Sequence, residues 1–198
     1  WHEADRLLAP AGEMMLERLG SVCRRRGMAI VCCNDLPADG LIFNTAVLLG
    51  PDGEIGRYRK VQPTWSERAR AMGDAFPVFQ VPGVGSVGLC ICYDILFPET
   101  TRALALGGAD IVFHCTLGGA SFGDGDASLA AFRTRASENF LYLVVAFRGA
   151  GSMVIGPKGQ VLAEADGSGD RIVAVDIDPT GGREAGDALG GVTQDFRA

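Results

Sequence analysis

Apolar and polar positions alternate along this chain with two periods, and the switches between them mark its elements. Over residues 12–27, "GEMMLERLGSVCRRRG", the residues Met14, Met15, Leu19 and Val22 recur at helical spacing and Gly27 is a stop signal. "MAIVCCND" (28–35) and "LIFNTAVLLG" (41–50) are apolar runs of strand length. The turn "PDG" then leads into a third strand, "EIGRYRK" (54–60). "FPVFQV" (76–81) and "VGSVGLCIC" (84–92) read as strands paired around "PGVG". A helix opens at Pro98 and closes on the glycines at 107–108. "ADIVFHC" (109–115) is a strand, and 126–140 is a helix with Asp126 as its N-cap. "LYLVVAF", "GSMVIG", "QVLAEA" and "RIVAVDID" (171–178) complete the strands, while the glycine-rich stretches 118–125 and 181–191 read as loops. Strands interspersed with helices predict an α/β fold with a mixed sheet. The hairpin turns at 50–53 and 156–159 make part of that sheet antiparallel.

Composition narrows the picture. A chain of 198 residues, with no internal repeat and no Pro- or Ser-rich linker, predicts one domain over 1–198. Hydrophobic residues make up 47% and charged residues 21%, ordinary for a globular fold. The formal net charge of -6 argues against nucleic acid or an anionic membrane surface as partner. The apolar runs are strand-sized, so no membrane span is expected. The chain starts at Trp1, and "WHEADRLLAP" has neither region of a signal peptide, so a processed or shortened chain is expected. The six cysteines sit mostly in apolar, strand-like runs. There is no CxxC pair, and the two histidines are His2 and His114. Neither a disulfide scaffold nor a zinc site fits that pattern, and reduced cysteines in a cytoplasmic protein without a metal are expected.

The candidate chemistry surrounds one strand. Cys92 ends the run "VGLCI" and precedes "YDILFPE". A nucleophile where a buried strand meets a turn is held rigidly and exposed on one side, with the N–H groups of the turn free to face an oxyanion. Cysteine attacks as thiolate and needs a nearby cation or base. Lys60 could lower that pKa or bind the oxyanion, and Glu67 could orient the lysine or take a proton. Each also has a plain reading: a core cysteine, a solvated strand-end lysine, one more charge on a helix turn. Cys90 shares the strand face of Cys92, and spacing does not choose between them.

"NTAVLLGPDGEIGRYRK", "GLCICYDILFPETTRALALGGADIV" and "RTRASENFLYLVVA", in this order, resemble the nitrilase, or carbon–nitrogen hydrolase, superfamily, from about residue 9 to about residue 178. The resemblance implies an α-β-β-α sandwich of two mixed sheets flanked by helices. It also implies a Glu-Lys-Cys hydrolase without a cofactor, acting on a small-molecule amide, carbamoyl compound or nitrile through a thioester. Cys92 matches the family nucleophile and Lys60 the family lysine. The N–H of Tyr93 would share the oxyanion with Lys60. Glu67 matches an acidic residue that many members bond to that lysine. Thr116 falls where members line the substrate pocket; His114 is a further candidate there or a packed core histidine. Glu99, Arg102, Arg135, Glu138 and Asn139 match scaffold positions around the elbow. Family members pair into dimers and larger oligomers, and here the helices 97–107 and 126–140 would supply the contact.

Two positions depart from the family pattern. Gln62 stands where members commonly carry His. The general-base Glu that members place on an early strand has no match, since Glu3 lies too close to the first helix. These residues are therefore expected to begin after the first β-α-β of the fold and to hydrolyse amides poorly by themselves. The alternative functions are an impaired paralogue serving as an interaction or regulatory subunit, and an acyltransferase of the same superfamily.

Overall fold

Asp39 and Gly40 both adopt positive φ, 55° and 73°, and so close a two-residue hairpin between β1 (Ile30–Ala38) and β2 (Leu41–Gly50). The computed structural model describes residues 2–117, 125–148, 151–166 and 171–188. They fall into two units, Trp1–Ala75 and Phe76–Ala198. In the first, β2 also pairs antiparallel with β3 (Gly53–Arg59), giving a three-stranded sheet in the order β1-β2-β3. Helix α1 (His2–Arg26) lays Leu16, Leu19 and Cys23 against Leu36, Val47 and Leu49 of that sheet. The helix starts ten residues earlier than the apolar period suggests and carries Pro10 inside it. Proline ordinarily ends a helix, but its fixed φ is helical. Docking of the following turns on the sheet outweighs the one missing hydrogen bond.

The segment after β3 returns along β2. Phe43 and Ala71 form a parallel bridge, Ala71 N–H donates to the Ile42 carbonyl at 2.7 Å, and Gly73 N–H donates to the Lys60 carbonyl at 2.8 Å. A Cβ on Gly73 would collide with the Arg59 carbonyl, so this close approach requires glycine. Arg70 grips Asp35 of β1 through Nε and Nη2 of its guanidinium, at 2.6 and 2.5 Å.

The second unit is a six-stranded sheet in the order β4 (Val78–Val81), β5 (Gly85–Ile91), β6 (Ile111–Thr116), β7 (Tyr142–Phe147), β8 (Met153–Ile155) and β9 (Val161–Glu164). β5, β6 and β7 are parallel and the outer pairs antiparallel, so the sheet is mixed. Parallel neighbours need crossovers, which α2 (Pro98–Leu106) and α3 (Gly125–Ser137) supply. Leu104, Ala105, Phe132 and Ala136 of these helices pack with Cys90, Val112, Leu143 and Val145 of the strands into one core. Two sheets with their helices give the α/β class expected.

Two elements differ from the sequence reading. Residues 171–178 are not a strand. The run "RIVAVDID" pairs with no strand among the described residues, and Ile172 is 97% exposed. A short helix, α4 (Gly181–Asp187), occupies part of the stretch read as a loop, with Gly182, Ala185 and Gly186 buried. The expected loops at 118–124 and 189–191 lie outside the described residues. No helix among the described residues is long and apolar enough to cross a membrane.

Candidate active site

Lys60 follows β3 directly, and its backbone N–H donates to the Asn44 carbonyl on β2 at 2.9 Å. The residue is 3% exposed. An ammonium so deeply buried needs a counter-charge, and its Nζ donates to Glu67 Oε2 at 2.6 Å. Glu67 is placed by local chemistry. "TWSE" is a helix-start pattern: Thr64 precedes a 3-10 turn, Trp65–Glu67, and the Glu67 carboxylate reaches back to it. Thr64 donates both its N–H, at 2.7 Å, and its hydroxyl, at 2.9 Å, to Oε2. Asn44 Nδ2 donates to Oε1 at 2.7 Å. Burial opposes ionisation of Glu67. The hydrogen bonds from Lys60, the Thr64 N–H and Asn44, with the charge of Lys60, outweigh it and hold the carboxyl down at about 2. A carboxylate with four donors stays ionised at neutral pH and is a poor proton acceptor. Its arrangement suits holding Lys60 in place.

In the second unit, Cys92 is the first residue beyond β5 and opens a 3-10 turn, Cys92–Leu96. Its φ of 46° is left-handed, uncommon outside glycine and worth about 1–3 kcal/mol of local strain. Buried Asp94 holds that turn, its Oδ2 accepting the Ile91 N–H at 2.9 Å and its carbonyl the Phe97 N–H at 3.1 Å. From α3, Arg135 donates to the Ile95 and Leu96 carbonyls at 3.2 and 3.3 Å, and to Glu138. Arg102 Nη2 donates to the Glu138 carbonyl, and Asn139 Nδ2 to the Arg135 carbonyl and Thr101 Oγ1. The expected scaffold residues thus tie α2, α3 and the elbow together, except Glu99, which lies exposed in the first turn of α2.

The two candidate thiols now part. Cys90 is fully buried, with its Sγ 3.4 Å from His114 Nδ1. Burial, then the charges of Asp94 and Cys115, push its thiol well up, so it stays neutral. Cys92 is half-buried, at the strand end. On the parallel neighbour, Thr116 stands one residue past the Ile91–Cys115 pair, as Cys92 does on β5. Both therefore lie at the carboxyl ends of parallel strands, where open α/β sheets bind ligands. Tyr93 is half-buried, its ring edge-on to Phe97 at 5.4 Å. His114 is 1% exposed and 5.7 Å from the Phe132 ring, a burial that favours its core reading over contact with substrate.

Lys60 and Glu67 come together in the first unit, and Cys92, Tyr93 and Thr116 lie at the carboxyl ends of two neighbouring parallel strands in the second. The partners Asn44, Thr64 and Asp94 were not singled out for these roles from sequence. Thr64 had a readable signal, the T-x-x-E pattern.

This chain belongs to the carbon–nitrogen hydrolase family, whose model, Carbon-nitrogen hydrolase, matches residues 1–186. It is 37% identical over 175 residues to an (R)-stereoselective amidase of Pseudomonas sp., covering 82% of this chain and 63% of that protein. The crystal structure of a carbon-nitrogen hydrolase from Helicobacter pylori G27 superimposes with a TM-score of 0.81 at 22% identity, over 96% of this chain and 75% of that one, and so shares the fold. An amidase mutant from Nesterenkonia sp. AN1, showing the result of Michael addition of acrylamide at the active site cysteine, matches with a TM-score of 0.71 at 28% identity. It covers 93% of this chain and 72% of that one.

Proposed function

We propose that the chain hydrolyses a non-peptide carbon–nitrogen bond in a small amide or carbamoyl compound, using Cys92 as nucleophile. The observation that carries this reading is the half-buried Cys92 at positive φ, opening a turn at the carboxyl end of a parallel strand, beside a Cys90 locked in the core. The Cys92 thiolate attacks the amide carbon and forms a C–S bond. The Tyr93 N–H holds the oxyanion, since the first N–H groups of a helical turn lack an intrahelical acceptor, and the family resemblance assigns Lys60 to the same role. Collapse breaks the C–N bond, the departing ammonia or amine takes a proton, and water then cleaves the thioester to a carboxylic acid. Glu67 positions Lys60, and Thr116 contacts substrate.

The resemblance assigns no residue of this sequence to the family's general-base Glu, which would deliver the proton and activate water. General acid–base assistance is worth about 10²–10⁴-fold, so we further propose that turnover is slow. The Nesterenkonia adduct supports the cysteine assignment by analogy. The test is ammonia release from a panel of short amides, carbamoyl compounds and nitriles. Slow release abolished in both Cys92→Ala and Lys60→Met is expected. Release that survives Cys92→Ala would reject the mechanism.

A further inference from the structure

Glu67 Oε2 receives Lys60 Nζ and both donors of Thr64, whereas Oε1 has Asn44 as its donor. Asn44 touches both halves of the ion pair. Its side chain holds the carboxylate of Glu67, and its carbonyl accepts the backbone N–H of Lys60. The amide could point either way on steric grounds. The Glu67 carboxylate on one side and the Cys33 thiol of the adjoining strand β1 on the other, donating to Asn44 Oδ1 at 3.3 Å, together turn the NH₂ toward Glu67. The reversed amide would set a carbonyl oxygen against a carboxylate and lose both bonds.

We infer that Asn44 is a positioning residue for the Lys60–Glu67 pair and that the Cys33 thiol supports the orientation of its amide. Fixing Oε1 prevents the carboxylate from rotating about its own axis, which would draw Oε2 away from Lys60 Nζ. Lys60, buried and bonded to Oε2, then presents its remaining N–H groups in one direction, as oxyanion binding requires. This inference rests on the proposed roles of Lys60 and Glu67. A merely structural asparagine would stabilise the sheet without changing how Glu67 titrates.

The experiment compares Asn44→Leu, Asn44→Asp, Cys33→Ala and Cys33→Ser with the parent chain. It follows the Glu67 carboxyl by ¹³C NMR titration, alongside amide turnover. Asn44→Leu removes the donor and Asn44→Asp faces Glu67 with a second carboxylate, so both raise its titration midpoint, Asp the more. Cys33→Ala raises it less, and Cys33→Ser, whose hydroxyl still donates to Oδ1, restores the parent value. Turnover follows the same order, with kcat falling about tenfold in Asn44→Leu and KM little changed, the loss of one charged hydrogen bond in the transition state. A Glu67 midpoint unmoved in folded Asn44→Leu and Asn44→Asp overturns the inference. Should Asn44→Leu fail to fold, Asn44→Asp and the Cys33 pair decide in the same way. Shifted midpoints in the variants, with no amide turnover by the parent chain, uphold the positioning role and reject the proposed function instead.

Discussion

Replacing Glu67 by Gln tests the buried ion pair as a contribution to stability. The carboxyl sits at about 2 in the folded chain, from an ordinary value of 4.5. That depression is equivalent to about 3 kcal/mol, reduced to about 1–2 kcal/mol once solvent screening at the carboxylate is allowed for. A depressed carboxyl stabilises the fold above its unfolded pKa, and this contribution is lost as pH falls through the folded one. Roughly half of it disappears between pH 5 and pH 3. Gln also leaves the Lys60 ammonium, 3% exposed, without a charge partner, which raises the expected loss at pH 7 to about 2–4 kcal/mol. Urea unfolding of the parent and Glu67→Gln at pH 7, 5 and 3 should show their difference shrinking with acid. Lys60→Met added to Glu67→Gln should recover part of the loss by removing the orphaned charge. A difference that stays constant from pH 7 to pH 3 would refute the argument, because it would mean that Glu67 acts through shape and not through ionisation.

Other outcomes follow from the second unit. Asp94→Ala leaves the buried Ile91 N–H without its acceptor and should lower the urea midpoint by the equivalent of about 1–3 kcal/mol. Gly182→Ala drives a Cβ into the Phe140 carbonyl and should cost about 1–3 kcal/mol in thermal unfolding; an unchanged Tm would reject this packing of α4. Pairing through the helices 97–107 and 126–140, with Leu106 exposed at the end of α2, should appear as a dimer or larger species in sedimentation at micromolar concentration. A monomer alone would reject that assembly.

The parts of the fold that were legible in sequence are those where one force dominates. The run 41–50 is β2 to the residue, since burial and a positive-φ turn at one end fix it. Where forces compete, pattern misleads. Pro10 hides the first turns of α1, which tertiary docking sustains, and "RIVAVDID" alternates without finding a sheet partner among the described residues. The glycines of α4 looked like a loop. Gly182 instead lets backbone approach backbone at Phe140, a reason for glycine that no local pattern carries. At the candidate site, the residues on which the proposed chemistry rests, Cys92, Lys60 and Glu67, could be singled out from sequence. Their supports were not, because Asn44 meets Glu67 across 23 residues and Cys33 meets Asn44 across 11, contacts that no local pattern carries.

The central claim is that Cys92 is the reactive thiol of this chain. It is tested most directly by treating the native protein with one equivalent of iodoacetamide and locating the adduct by peptide mass mapping. The account predicts modification mainly at Cys92, the half-buried thiol at the strand end, with Cys90 and Cys23 untouched in their cores. Modification mainly at Cys90 or Cys23 would contradict it.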